Sequence, residues 1–278
     1  MTKEEKLENK MPKRKFTDTV IWIFFITLAL FLLSSVFNSM IVELLKIDVS
    51  DYEAYYSFIA PFILIFLVIG LVKRNKYMMK KVHFNILHFL LGLIVGMVLI
   101  ILCVSIPLLN RDLIITDGTY SLPFLGIAFV LVFIQSSTEE LYCRLFMYQR
   151  LKETHKNPWF IIFITSLFFA LLHLANDGIT IVSFASVLLF GVFFAMMIYY
   201  FDSIWLVCAI HTAWNYLQNI ILGLPNSGLV TPKSLYSIVS AKDGFFYDKT
   251  FGIEGSSLTV IVLLFACLII YLLRRNKK

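Results

Sequence analysis

Apolar residues run along this chain in long unbroken stretches rather than alternating with polar ones. About eight stretches, near 18–45, 55–72, 85–109, 122–150, 158–176, 179–200, 203–222 and 256–273, reach or approach the ~20 residues a helix needs to cross a bilayer. Short polar segments separate them. The pattern predicts an all-α polytopic membrane protein with about eight transmembrane helices. A single transmembrane domain over 18–273 is flanked by basic tails at 1–17 and 274–278, with no linker or repeat between.

The apolar run from Val20 to Leu45 exceeds the ~7–15 residues of a signal-peptide core, and no small-residue cleavage site follows it. It is expected to stay as the first membrane helix. Asn157-Pro158 reads as an N-cap with proline at the first helical position, starting helix 5. Asp202 and Ser203 are expected to cap helix 7 in the same way. The loop from Leu224 to Ser256 is polar and aromatic, and either covers a site or lies exposed.

Composition supports the pattern. The 278 residues are 59% hydrophobic and 15% charged, with 27 Phe against 7 Pro and 12 Gly. Soluble domains are ~45–50% apolar and ~25% charged. The net charge of +6 could suggest a nucleic-acid partner, but the basic residues cluster at the ends of apolar segments, where they set topology. Lys3, Lys6, Lys10, Lys13, Arg14 and Lys15 precede helix 1. Lys73, Arg74, Lys76, Lys80 and Lys81 follow helix 2. Arg150, Lys152 and Lys156 follow helix 4, and Arg274, Arg275, Lys277 and Lys278 end the chain. With eight helices all four groups share one side, which predicts cytoplasmic termini. The other side carries only Lys46, Arg111, Lys233, Lys242 and Lys249. The cysteines, 103, 143, 208 and 267, form no CxxC pair and no disulfide framework is expected.

Against this apolar background, ionisable groups inside a span are costly and mark function. In STEELYCRLF, Glu140 and Arg144 are four apart and share a helix face as an ion pair. Glu139 points ~100° away and is expected to lack a sequence-local partner. Phe169 and His173 share a face of helix 5; His211 and Asn215 share one of helix 7. At ~1.5 Å per residue, Glu139 lies ~18 Å from the cytoplasmic link, His173 ~22 Å, His211 ~12 Å and Asn215 ~18 Å. The four can therefore form one cluster. Taken singly each has a bland reading: a packed histidine, or a structural ion pair. Gln218 and Asn219, near a helix end, are expected to meet headgroups or water. Cys143 and Cys208 sit in apolar surroundings, where thiols are inert.

A carboxylate and an imidazole can jointly deprotonate a water, and His211 and Asn215 can donate to an oxyanion. This is a plan for peptide-bond hydrolysis. Zinc held by His173, His211 and Glu139 is less favoured, since there is no HExxH and no two of these ligands are close in sequence. No metal or cofactor is expected.

EELYCR (Glu139, Glu140, Arg144), FALLH (Phe169, His173) and HTAWN (His211, Asn215), in this order on separate helices, resemble the motifs of the CPBP family. This family holds the CAAX proteases and bacteriocin-processing enzymes, also called Abi or type II CAAX prenyl endopeptidases. The resemblance covers about 125–221, helices 4, 5 and 7 included. It implies an eight-helix, metal-independent intramembrane protease of glutamic type. Glu139 would act as base with His173, His211 and Asn215 would stabilise the oxyanion, and Glu140, Arg144 and Phe169 would support the site. Family members often carry Gly after the motif arginine; here it is Leu145. The Lys-, Ile-, Phe- and Asn-rich composition suits a low-GC bacterium, hence a multi-pass protein of the plasma membrane. Its partners would be the lipid bilayer and a membrane-associated peptide, such as a bacteriocin or pheromone precursor, or a sensor kinase, with no nucleic acid. The alternatives are a non-catalytic self-immunity or signalling scaffold, and a small transporter using the same buried groups.

Overall fold

A computed structural model of the chain describes residues 19–275. The expected basic tail at 1–17 and the last three residues lie outside them. The expected apolar segments appear as α1 Val20–Leu45, α2 Ile59–Leu71, α3 Ile86–Leu109, α4 Leu122–Lys152, α5 Pro158–Leu172, α6 Ile181–Phe201, α7 Ile204–Asn215 and α8 Ser257–Arg274. Among the described helices, α1, α3, α4, α6 and α8 are long and apolar enough to cross a membrane. Helices α2 and α5 are apolar but only 13 and 15 residues long.

Side-chain caps set most starts. Thr19, Asn85, Ser121, Asn157, Thr180 and Ser256 each accept a backbone N–H from the first turn that follows. The expected cap at α7 is corrected. Ser203 precedes the helix but makes no side-chain cap bond, and Asp202 is the left-handed end of α6, its carboxylate paired with Lys81. Two boundaries also moved inward. Helix α2 starts at Ile59, just ahead of Pro61, which cannot donate inside a helix. Asn38 of α1 tethers this entrance, donating to the Tyr56 carbonyl and accepting the Ala60 N–H. Helix α5 ends at Leu172 rather than 176, with His173 as its C-cap.

Helix α7 sits at the centre: all its residues except Trp205 are buried. Helix α3 lies against it through Gly92 and Gly96. A Cβ on Gly92 would sit 2.7 Å from the Ala209 Cβ, and one on Gly96 2.8 Å from the Ala213 Cβ. This is a small-xxx-small contact that lets two membrane helices approach backbone to backbone. Helices α5 and α8 flank α6, and α4 closes on the other face of α7.

The all-α expectation needs one amendment. Strands β1 Leu113–Asp117 and β2 Tyr236–Ala241 pair antiparallel, with an irregularity between Ile114 and Ile115. They are only five and six residues long and lie in polar loops with 118 residues between them, so no hairpin signal announces them. At this end Lys233 also meets Asp51 at 2.6 Å. At the opposite end the 73–82 turn meets the segment after α4 through Arg74 and Glu153 at 3.0 Å. Loops expected on the same side thus touch one another.

Candidate active site

Helix α4 carries Glu139 and Glu140 to the last α-helical residues before a π-helical stretch, Leu141–Met147. A second π-helical stretch, Tyr216–Ile221, follows Asn215 directly. Such widened turns are rare and gather at functional sites. Each of these begins within one or two residues of a motif side chain.

Glu139 is 8% exposed. Its Oε1 accepts from Gln135 Nε2 at 2.5 Å. This corrects the expectation that Glu139 has no sequence-local partner: Gln135 lies one turn earlier on the same face. Its other oxygen, Oε2, is hydrogen-bonded to no side chain or backbone group among the described residues and lies 3.8 Å from His211 Nε2.

Glu140 and Arg144 form the expected ion pair, Nε to Oε2 at 3.2 Å, with both side chains fully buried. Arg144 also donates to the Gly191 carbonyl at 3.3 Å. Its guanidinium lies 4.3 Å from the Phe169 ring centroid and 5.4 Å from that of Phe194, within cation–π range. Glu140 has a second partner: its Oε1 accepts from His211 Nδ1 at 2.9 Å. The pair sequence reads as bracing therefore also orients a histidine, leaving its Nε2 toward Glu139. Phe194 stacks on the other side of that imidazole, centroids 5.2 Å apart.

His173 gives its Nδ1–H to the Phe169 carbonyl at 2.8 Å, since a carbonyl only accepts. In a neutral ring that bond puts the hydrogen on Nδ1 and leaves Nε2 as the acceptor. Phe169 thus touches both His173, centroids 4.7 Å apart, and Arg144. Asn215 spends both amide hydrogens within the site, on Gln135 Oε1 at 2.9 Å and Ser136 Oγ at 3.2 Å. Glu139, Phe169, His173, His211 and Asn215 line one cavity of about 250 Å³. Glu140 and Arg144 stand behind it.

Cys143 and Cys208 are buried free thiols. Among the described residues no group of three His, Cys, Asp or Glu side chains is arranged to hold a metal.

One reading of the chain beyond α7 is corrected, and one alternative left open is decided. Gln218 and Asn219 do not face headgroups; both are buried. Gln218 donates to the Pro225 carbonyl at 2.6 Å, and Asn219 donates to the Leu224 carbonyl at 2.8 Å while accepting from Tyr55 at 2.5 Å. They stitch the following loop over the cavity, and Asn226, Ser227, Leu229 and Glu254 join its lining. The loop covers the site. Glu254, 4% exposed, was missed by the sequence reading because it lies in a loop rather than a span. Its Oε1 accepts from Trp214 Nε1 at 2.8 Å and its Oε2 from the Ser227 hydroxyl. Burial pushes its carboxyl above the ordinary value; the Ser227 and Trp214 bonds, then His173 and His211, pull the other way.

The apolar helices and the polar cavity between them define a multi-pass membrane protein with an internal site. Residues 121–217 match the family model described as Type II CAAX prenyl endopeptidase Rce1-like, which agrees with the family resemblance of the three motifs and supports a membrane protease. The matched segment holds Gln135 and every motif residue from Glu139 to Asn215, but neither Ser227 nor Glu254. None of the curated proteins matches the chain.

Proposed function

We propose that the protein is an intramembrane endopeptidase of glutamic type, in which Glu139 and His173 activate a water that attacks a peptide carbonyl. The observation that carries this reading is Glu139 Oε2, a buried carboxylate oxygen with no hydrogen-bond donor among the described residues, lining a cavity shared with two histidines. A costly buried acceptor held by Gln135 on its other oxygen is arranged for a ligand rather than for packing. The water passes its proton to the Glu139–His173 pair as its oxygen bonds to the carbonyl carbon. As the C–N bond breaks, that proton goes to the departing amine.

His211 fits the oxyanion role in its imidazolium form. Nδ1–H donates to Glu140 and Nε2–H is presented to the cavity. Asn215 joins by releasing the longer of its two bonds, that to Ser136. Glu140, Arg144 and Phe169 hold His211 and His173 in place.

This reading takes 18–273 as one transmembrane domain crossing a bacterial plasma membrane eight times with cytoplasmic termini. The substrate is a membrane-associated peptide or protein, such as a bacteriocin or pheromone precursor. An apolar groove between α1 and α2, lined by Leu33, Phe37, Ile63 and Leu67, adjoins the cavity residues Leu32 and Phe58 in sequence and offers a route from the lipid.

The test is cleavage of a fluorogenic membrane-peptide library by the purified protein in nanodiscs. Wild type should cleave, and Glu139→Ala and His173→Ala should each lose at least ~100-fold. Equal cleavage by wild type and both variants would remove the mechanism. In producer cells, full protection by Glu139→Gln would favour the immunity scaffold instead.

A further inference from the structure

The 224–256 loop places a carboxylate in a position that nothing in the motif set uses. Two of its pieces, 225–229 and 251–255, lie against each other: Gly228 N–H donates to the Phe251 carbonyl at 3.3 Å, and Gln218 and Asn219 of the π-helical stretch hold Pro225 and Leu224. Gly252 has a positive φ of 89° and no room for a side chain, since a Cβ there would run into the Pro225 carbonyl oxygen. The loop is therefore a built roof.

From that roof runs a continuous polar bridge. Asn176, three residues past His173, donates to the Ser227 carbonyl at 2.9 Å. Ser227 donates its hydroxyl to Glu254, and Glu254 accepts from Trp214, which stands between His211 and Asn215 in sequence. Trp214 is 1% exposed and its ring meets Phe190 edge-on, centroids 4.7 Å apart, so it cannot turn without moving α7. The bridge ties the end of α5, which carries His173, to α7, which carries His211 and Asn215. Glu254 has no Lys or Arg partner among the described residues; both its donors are neutral groups. A carboxylate so buried is expensive, and a packed apolar residue would fill the space at lower cost unless the two fixed acceptors matter.

We propose that Glu254 is a positioning residue: it clamps Trp214 to Ser227 and so sets the spacing of the His173 and His211–Asn215 walls of the cavity. The proposal rests on the hydrolytic reading above for its catalytic consequence, but its structural half is measurable without any cleavage.

The experiment is hydrogen–deuterium exchange of the roof in nanodiscs for wild type, Glu254→Ala, Glu254→Gln and Trp214→Phe, with reporter-peptide cleavage alongside. Glutamine can still accept from Trp214 through its carbonyl and donate to Ser227 through its amide. Glu254→Ala should speed exchange across 225–229 and 251–256 by about tenfold and lower kcat about 10- to 100-fold with KM little changed. Glu254→Gln should restore both to within about threefold of wild type. Trp214→Phe, which removes only the donor, should reproduce the alanine effect from the other side and serves where Glu254→Ala fails to fold. Unchanged roof exchange in both Glu254→Ala and Trp214→Phe overturns the proposal. So does a Glu254→Gln protein that keeps roof protection yet is as inactive as Glu254→Ala, because the charge would then act directly. If wild type cleaves nothing, the exchange pattern still decides the clamp, while the protease reading fails on its own.

Discussion

Gln135 Nε2 donates to Glu139 Oε1 at 2.5 Å, and Gln135 Oε1 accepts from Asn215 at 2.9 Å. One amide thus links the carboxylate of α4 to the asparagine of α7. It leaves Glu139 with a single uncommitted oxygen and sets its carboxylate plane. Gln135→Leu has nearly the same volume but neither function. Its cleavage rate should fall about 10- to 100-fold, with a melting temperature within a few degrees of wild type, because the glutamine is largely a link between groups that pack without it. Reporter cleavage at wild-type rate in Gln135→Leu would show that Glu139 is positioned by something else.

Arg144 holds three things at once: Glu140, the Gly191 carbonyl and the face of Phe169. Replacing it with Ala leaves Glu140 buried with only His211 beside it. Breaking one half of a buried pair costs about 3–5 kcal/mol, so Arg144→Ala should express poorly or melt far below wild type. Arg144→Lys keeps the charge but not the planar group that reaches a carboxylate, a carbonyl and a ring together. It should recover part of the stability and less of the activity. Thermal melts in detergent read the first effect and reporter cleavage the second. An Arg144→Lys protein indistinguishable from wild type in both would show that the planar geometry is dispensable.

The motif residues were legible because periodicity alone puts Glu140 over Arg144, Phe169 over His173 and His211 over Asn215, and because charge inside an apolar run is conspicuous. Depth along each helix then brought them together. Contacts between elements were not legible. That His211 bonds Glu140 rather than facing only the cavity depends on how α7 rotates against α4, which Gly92 and Gly96 set through α3. Gln135 carried a weaker signal: an amide one turn before a catalytic-type carboxylate in an otherwise apolar helix. Glu254 carried none, since a glutamate in a polar loop is ordinary until the loop folds over a cavity. The strands were hidden for the same reason, each too short to show a period and paired with a partner distant in sequence.

Helix α3 should tolerate nothing larger than hydrogen at Gly96. A Cβ there would meet Ala213, two residues before Asn215 and two after His211, and would press on the Ile210 carbonyl. Backbone cannot yield as a side-chain tip can. Gly96→Ala should cost about 1–3 kcal/mol and reduce cleavage by displacing α7. Gly126→Ala is the control, since a Cβ at that position meets nothing within 4 Å. Equal melting temperatures and activities for the two variants would remove the argument that the α3–α7 contact positions the site.

The roof should loosen as pH rises. Burial holds the Glu254 carboxyl above its ordinary value near 4.5, against the opposing pull of its hydrogen bonds and the histidines. The titratable groups facing it are His173 and His211 from α5 and α7, with Tyr55, in the turn before α2, and Cys103, in α3, feeling its charge. A raised acid binds more protons folded than unfolded, so stability falls with pH while the two states differ. The contribution of Glu254 is therefore fully present below about 4.5 and is lost as pH climbs through the folded value. Roof exchange in wild type, corrected for the intrinsic rate, should speed up over that window. Glu254→Gln, which cannot titrate, should flatten the dependence. An identical pH slope in wild type and Glu254→Gln would remove Glu254 from the titration.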